Sequence, residues 1–540
     1  MNRLHTLFKN HYYLLTAILM FLSFPSYDFI LFKIFPVVAW FSLIPLFYYI
    51  SGKSIKEIFF VSFITGLLGN FFCYGWIGDF GIKVAGGNIV ILLFLIPSLT
   101  VFFVIKIIIA EYLSRKYLKF KFIIYPSVWI IIDYVQSIGF LAFPWTYIGY
   151  SQYTFTPFIQ VASVTGILGI NFIMIMFNKT LAEFFLSSEF FLSIKDNVSM
   201  KNILKNRYFV QTVSVVMLVV LITVSGSIRL LVNSSGEGKR LKVGFVQSCV
   251  SPWDNWSQNK YKYLYELLIY TKKAILEQPD LIIWSESATL EYISYRFMRG
   301  EKDNFDELLL NFAKANNIWL LTGEIGITAD RQPQNNAVLI NGTDGVVSTY
   351  SKINLVPFGE WFPYEKWFPP VKRLVKEFGG SSFVPGKSPV VFNMDELKFG
   401  TLICYEGIFF QLCRKYRNLG ADFLVNITND GWTDNYNGHY QHYSSSIFRA
   451  VENGIWLLRC GNTGVTAVIN PKGEIINTLP ILKKNYMIGE IDTSQNVKTI
   501  YSIFGDIILY IAMLFIASLF LLHIFNLKPI FFVRREYKTN

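Results

Sequence analysis

The sequence is short of charge. Asp, Glu, Lys and Arg make up only 16% of its 540 residues, where a soluble protein carries about a quarter. Hydrophobic residues reach 53% and the mean hydropathy is +0.39. The shortfall is concentrated in residues 1–230 and after 501, with ordinary globular composition between, which excludes one uniform soluble fold. Cysteine is also scarce. The five cysteines (Cys73, Cys249, Cys404, Cys413, Cys460) form no CxxC or Cys/His spacing, which argues against zinc, and no metal or other cofactor is expected. Their odd number leaves at least one thiol free in an oxidising compartment, and whether Cys249, Cys413 and Cys460 pair stays open. There is no internal repeat and no low-complexity linker. No small-residue cleavage site follows MNRLHTLFKN, so the first apolar run is expected to be a retained helix rather than a removed signal.

What is present is a set of apolar runs of the length a bilayer demands, about 20 residues each. Candidate spans lie near 12–25, 34–50, 58–78, 88–106, 122–142, 158–178, 209–226 and 506–525, seven before the soluble region and one after it. Phe24-Pro25-Ser26-Tyr27-Asp28 reads as a tight turn or a kink. The net charge of +12 could suit nucleic acid, but the Lys and Arg residues cluster in short loops beside apolar runs, which is a topology signal. Lys53 and Lys56, then Arg115, Lys116, Lys119 and Lys121, then Lys195, Lys201, Lys205 and Arg207, and finally Lys528, Arg534, Arg535 and Lys538 fall in alternate loops and the tail. The other loops carry chiefly Lys33 and Lys83. Both termini are therefore expected in the cytoplasm and the soluble domain on the far side. Asp133 lies inside the fifth span, where an ionisable group is a functional candidate; the plainer reading is a pair with a neighbouring helix. The loop FPWTYIGYSQ (143–152) reads as an interfacial aromatic belt or a seat for a lipid chain.

From residue 240 short strands alternate with amphipathic helices. Strands are expected at 241–247, 281–284, 318–322, 337–340, 346–350, 422–427, 455–459 and 465–470, and helices at 260–277, 305–315 and 441–453. NGTDG (341–345) is a hairpin turn. This alternation implies a layered α/β domain.

Three apolar strands end on polar residues. After LIIW comes Ser285-Glu286-Ser287, after the hairpin comes Ser351-Lys352, and after LKFGTLI comes Cys404-Tyr405-Glu406. A cysteine on a turn from buried strand to helix is well placed to act as a nucleophile, although a lone cysteine is more often a small core residue. It needs a base, because its ordinary pKa is about 8.5. A partly buried carboxylate can serve, and a fixed lysine can hold the oxyanion. Glu, Lys and Cys at one end of neighbouring strands thus make an acyl-transfer apparatus without histidine. His439 and His442, at the head of a helix, read as capping or surface residues.

WSES, YSKINLVPFGEWFP and LICYEGIFF, in that order, resemble the Glu, Lys and Cys motifs of the nitrilase (carbon–nitrogen hydrolase) superfamily. NITNDGW, RAVENG and RCGNTGVTAVINPKGE extend the resemblance, as do FPW…GYSQ and TGILGINF in the apolar region. With spans on both sides of that domain, the chain resembles the membrane-integrated branch, the apolipoprotein N-acyltransferases. The resemblance implies eight spans and a nitrilase-like αββα sandwich: residues 1–230 as a seven-helix region, 240–495 as an extracytoplasmic catalytic domain, 501–527 as a last span and 528–540 as a basic tail. It implies Glu286 as general base, Lys352 as oxyanion stabiliser and Cys404 as nucleophile. Glu360 and Glu406 would shape the site, and Trp256 and Tyr405 would contact substrate. Ser285, where proline is common, and Asn354, where histidine is common, depart from the pattern without touching the triad. The implied reaction moves an acyl chain from a membrane phospholipid through a Cys thioester to a diacylglyceryl-modified apolipoprotein, in a monomer of the bacterial inner membrane. A membrane-tethered amidase and a non-enzymatic polytopic binding protein are the competing readings. The stretch 361–386, rich in aromatics and proline, is expected to be a lid at the membrane surface.

Overall fold

The computed structural model describes residues 11–25, 35–78, 87–139, 142–145, 147–187, 206–232, 236–301, 303–357, 359–361 and 382–525. Most of the expected lid, the loop bearing Lys195, Lys201 and Lys205, and the basic tail lie outside the described residues.

The apolar region folds into helices α1 (Leu15–Ser23), α2 (Ile44–Tyr49), α3 (Ile55–Tyr74), α4 (Gly87–Lys116), α5 (Lys121–Gln136), α6 (Ala162–Leu186) and α7 (Arg207–Leu231). Ser54 and Glu57 start α3 with a reciprocal capping box. Five described helices are long and apolar enough to cross a membrane: Ile55–Tyr74, Leu93–Lys116, Ala162–Leu186, Arg207–Leu231 and Ile507–Ile524. The expected span at 34–50 is interrupted, with a 3₁₀ turn over Phe35–Trp40 before α2. Pro45 in the first turn of α2 explains the break, since proline lacks the N–H that would continue the preceding helix. The expected run at 122–142 stays helical only to Gln136. Helix α7 buries little besides Val215 and Gly226 and turns Val213, Met217, Leu221 and Val224 outward, as a lipid-facing helix does.

Contacts sort the helix ends into two groups. At one end Arg115 donates to the Lys53 carbonyl, Arg207 Nη2 donates to the Leu118 carbonyl at 3.1 Å, and the Tyr117 hydroxyl reaches the Leu519 carbonyl at 2.8 Å. The other end carries the soluble domain.

That domain holds two mixed six-stranded sheets. In the first, β1 (Arg240–Gln247), β2 (Leu281–Trp284) and β3 (Trp319–Ile327) run parallel, and β4 (Pro333–Asn341), β5 (Gly345–Ser351) and β12 (Asn485–Asp492) complete it in the order β12-β1-β2-β3-β4-β5. In the second, β7 (Leu397–Ile403), β8 (Phe423–Thr428) and β9 (Trp456–Gly461) are parallel, flanked by β6 (Val391–Met394), β10 (Thr466–Ile469) and β11 (Ile475–Leu479). The sheets face each other: the Cys460 thiol on β9 reaches the Ile283 carbonyl on β2 at 3.4 Å. Strands β8 and β9 are buried along their whole length, including Asn426 and Arg459. Helices α8 (Trp256–Ile275) and α9 (Asn304–Asn316) cover the first sheet, and α10 (Phe410–Asn418) and α11 (Tyr436–Asn453) cover the second. This is the expected α/β sandwich.

The chain then enters α12 (Ile507–Ile524). The domain is bonded to the helix ends beneath it. Helix α6 kinks at Gly166, whose φ of +66° suits glycine, and the freed Ile167 N–H donates to Glu452 at 2.8 Å. Gln411 donates to Ser137 at 2.8 Å, and Lys472 donates to the Leu230 carbonyl at 2.8 Å. Asp133 is buried in the bundle against Lys106 and Asn171, a pairing between helices. All five cysteines are free thiols.

Candidate active site

Parallel strands display the residues that follow their carboxyl ends. Here β2 delivers Glu286, β7 delivers Cys404, β8 delivers Asn429 and Asp430, and the antiparallel β5 delivers Lys352. Gly323 on β3 allows the Glu286 turn to pack tightly, because a Cβ there would lie 2.4 Å from the Ser287 nitrogen.

Lys352 is 1% exposed and lies 3.3 Å from Glu286 Oε1 and 2.8 Å from Glu360 Oε1. Asn335 Nδ2 donates to both of those oxygens at 2.8 Å. The other oxygen of Glu286 accepts the Asn429 N–H at 2.7 Å, and that of Glu360 accepts the Val356 N–H at 2.8 Å. Burial works against the Lys352 ammonium, but the carboxylates of Glu286 and Glu360 outweigh it and hold the lysine well above its ordinary range. The charge is fixed and fully present, as an oxyanion stabiliser requires.

Cys404 opens a 3₁₀ turn (Cys404–Ile408) and is partly exposed. Burial of the sulfur pushes the thiol up, Glu286 and Asp430 push it further, and Lys352 pulls it down. The resting sulfur is therefore protonated, and attack requires a base in the same charge field. The Glu286 carboxylate lies in that field.

Glu406 lies beneath the site. Its Oε1 accepts from the Tyr350 hydroxyl at 2.7 Å and from the N–H groups of Ile353 and Asn354 at 2.7 and 3.1 Å; its Oε2 accepts the Ile403 N–H at 2.9 Å. One carboxylate thus ties the lysine loop to the strand that ends at Cys404. Burial pushes it up to about 7 against those hydrogen bonds. Tyr405 turns toward the membrane region, donating to the Ala142 carbonyl at 2.5 Å and lying beside the rings of Phe143 and Trp145. Trp256 stands elsewhere, at the head of α8, where its indole donates to Glu291 at 3.2 Å and its ring meets Tyr263 and Phe305.

The expectation for the two histidines is corrected. Asn435 caps α11, and the helix begins earlier than expected, so His439 and His442 are interior residues, 0% and 2% exposed. His442 Nδ1 lies 2.8 Å from Asp430 Oδ1, and its Nε2 lies 3.1 Å from the Cys404 carbonyl. Burial and Arg459 hold the ring below the ordinary histidine range while Asp430 opposes them. Asp430 itself is held far below the carboxylate range, Arg459 and His442 overcoming burial. Sequence reading missed Asn335, Asp430, His442 and Arg459 as site residues. The NDGW and RCGNTG motifs were the available signals, and neither spacing nor period assigns them a task.

Two family descriptions match the chain: the apolipoprotein N-acyltransferase N-terminal domain over residues 16–180 and carbon-nitrogen hydrolase over 242–501. Apolipoprotein N-acyltransferase 1 of Treponema denticola is 30% identical over 520 residues, covering 91% of this chain and 92% of its own. The Geobacter metallireducens apolipoprotein N-acyltransferase is 29% identical with 91% of each chain covered. Among solved structures, Saccharomyces cerevisiae Nit3, of the nitrilase superfamily, aligns over 50% of this chain and 94% of its own at 18% identity and a TM-score of 0.37. Both matched domains occur here in one chain, and the likeness to the Treponema enzyme runs nearly end to end: this chain belongs to the apolipoprotein N-acyltransferase family.

Proposed function

We propose that the protein moves an acyl chain from a membrane phospholipid to the α-amino group of the diacylglyceryl-cysteine that begins an apolipoprotein. Glu286 removes the Cys404 proton and the sulfur attacks the ester carbonyl. Lys352 holds the oxyanion. Collapse breaks the ester C–O bond, and Glu286 returns the proton to the departing lysophospholipid, leaving a thioester on Cys404. The amine then attacks that carbonyl, Glu286 accepts its proton, and the C–S bond breaks to give an amide and the resting thiol. Both half-reactions use the same base and the same cation.

The observation that carries this reading is the seat of the nucleophile. Tyr405, next to Cys404, is bonded to the Ala142 carbonyl and lies against Phe143 and Trp145 of the apolar region. A thiol there meets lipid esters more readily than soluble amides. Tyr405 is assigned to substrate on that ground. Trp256 is assigned through Glu291, in the loop that begins with Glu286. Glu360 and Glu406 fix the lysine and its loop.

The wider arrangement proposed is residues 1–230 as seven spans, 240–495 as the catalytic domain, 501–527 as the eighth span and 528–540 as a tail, in a monomer of the bacterial inner membrane. The grouping of Lys53, Arg115 and Arg207 at the helix ends away from the catalytic domain supports cytoplasmic termini and an extracytoplasmic site. The test is turnover by purified protein in phospholipid vesicles with a synthetic diacylglyceryl-cysteinyl peptide. Lysophospholipid and N-acylated peptide should appear in equal amounts. Hydrolysis of small amides without any lipid requirement would replace this reading with the tethered amidase.

A further inference from the structure

Cys404 holds a backbone conformation that side-chain-bearing residues rarely adopt, with φ at +50°. A nucleophile in that region keeps its aim only if surrounding groups fix the turn. Its carbonyl oxygen accepts from two side chains, Nε2 of His442 at 3.1 Å and Nδ2 of Asn426 at 3.3 Å. Behind the imidazole, Arg459 Nη2 lies 3.1 Å from Nδ1 and 2.8 Å from Asp430 Oδ2. The bond to Cys404 needs a proton on Nε2, which the imidazolium and the neutral Nε2–H tautomer both carry. As an imidazolium, His442 also donates Nδ1–H to Asp430. As the neutral Nε2–H tautomer, it accepts from Arg459 at Nδ1.

The ring's remaining face belongs to the membrane region. Trp145 stacks on His442 with centroids 5.0 Å apart and planes at 29°. The Trp145 indole donates to Gln441 Oε1 at 3.2 Å, and Trp76, just past α3, donates to the same oxygen at 3.2 Å. Gln441 and His442 are consecutive on α11. One grips two tryptophans of the apolar region, and the next holds the carbonyl of the nucleophile.

We propose that His442 is a positioning residue for acylation, transmitting the placement of Trp145 to the Cys404 turn through its Nε2–H bond to the Cys404 carbonyl. The inference rests on the acyl-transfer reading for its main assay. A lipid that displaces Trp145 would disturb the sulfur's aim, and one that leaves the stack intact would preserve it.

The test uses the full chain in phospholipid vesicles, with His442→Leu, His442→Gln and Trp145→Leu. Misplacing a reacting atom by an ångström costs about 10²-fold, so His442→Leu should slow thioester formation by about that factor with little change in the apparent KM for phospholipid. The glutamine amide can still donate, so His442→Gln should stay within about 10-fold of the wild type. Trp145→Leu, which leaves both donors in place, should fall between them. A His442→Leu rate equal to the wild type, or a Gln variant as slow as Leu at equal thermal stability, would overturn the proposal. Should the Leu variant not fold, the Gln and Trp145 variants decide: a Trp145→Leu rate equal to the wild type refutes the coupling. Alkylation of Cys404 by iodoacetamide requires no lipid and separates the two claims. A wild type that forms no thioester removes the acyl-transfer reading, while different alkylation rates for the Leu and Gln variants still support positioning by His442.

Discussion

In the membrane bundle Lys106 meets Asp133 and Lys179 meets Glu183, both pairs buried. In the sandwich one buried lysine, Lys352, faces two carboxylates, with a protonated thiol in the same field. The bundle pairs serve packing: Tyr147 and Asn171 extend the Asp133 network to the loop that carries Trp145, through the Asp133 carbonyl and the Gly149 N–H. Glu286 and Glu360 together outnumber Lys352 by one charge. The Lys106–Asp133 pair is balanced, while Glu183 also meets Lys121 at 3.6 Å; the excess of carboxylate over cation sets the Lys352 cluster apart from the Lys106 pair.

The comparison breaks most visibly at the base. Glu286→Gln removes the proposed proton acceptor and keeps the shape, so acyl transfer should fall by about 10³-fold with little loss of stability. Lysophospholipid release by the purified variant checks it. Lys352→Met should cost about 10²- to 10³-fold in the same assay and also leave Glu286 and Glu360 uncompensated, lowering stability by about 3–5 kcal/mol. Because Lys352 pulls the Cys404 thiol down, the same variant should raise it further, and iodoacetamide alkylation at pH 8 should slow.

In the bundle the balance can be tested by restoring it. Lys106→Met alone should destabilise by about 3–5 kcal/mol, and adding Asp133→Asn should recover much of that loss. Thermal unfolding in detergent measures both, and additive losses would remove the idea that the pair is a unit. Glu406 offers the smallest effect. Its folded pKa is raised from 4.5 to about 7, so the native state holds a proton that the unfolded state releases. That contribution is present below pH 4.5 and is lost as pH rises to about 7. Glu406→Gln should flatten this part of the stability profile, by at most roughly 3 kcal/mol.

The sandwich was largely legible because burial there has a period. β2 falls on the expected residues, and the hairpin between β4 and β5 turns at NGTDG as expected. Strands β6, β11 and β12 were missed. β11 is mostly exposed, and β12 has glycine (Gly489) at one of its alternating buried positions, so neither stands out from a loop in the sequence. In the bundle apolar runs do not mark where a helix breaks, and the 34–50 span gave way at Pro45. Glu286 and Cys404 stood out in the sequence because each follows an apolar strand, and Lys352 because it follows the hairpin. His442 was not, since a helix that starts at Tyr436 puts its early residues inside, and only the folded packing against Asp430 and Arg459 shows that.

The most direct measurement is the intact mass of the protein purified with phospholipid. The account predicts an acyl-sized adduct that hydroxylamine removes and that Cys404→Ala lacks. An adduct that persists in Cys404→Ala, or lysophospholipid release by that variant, would contradict it.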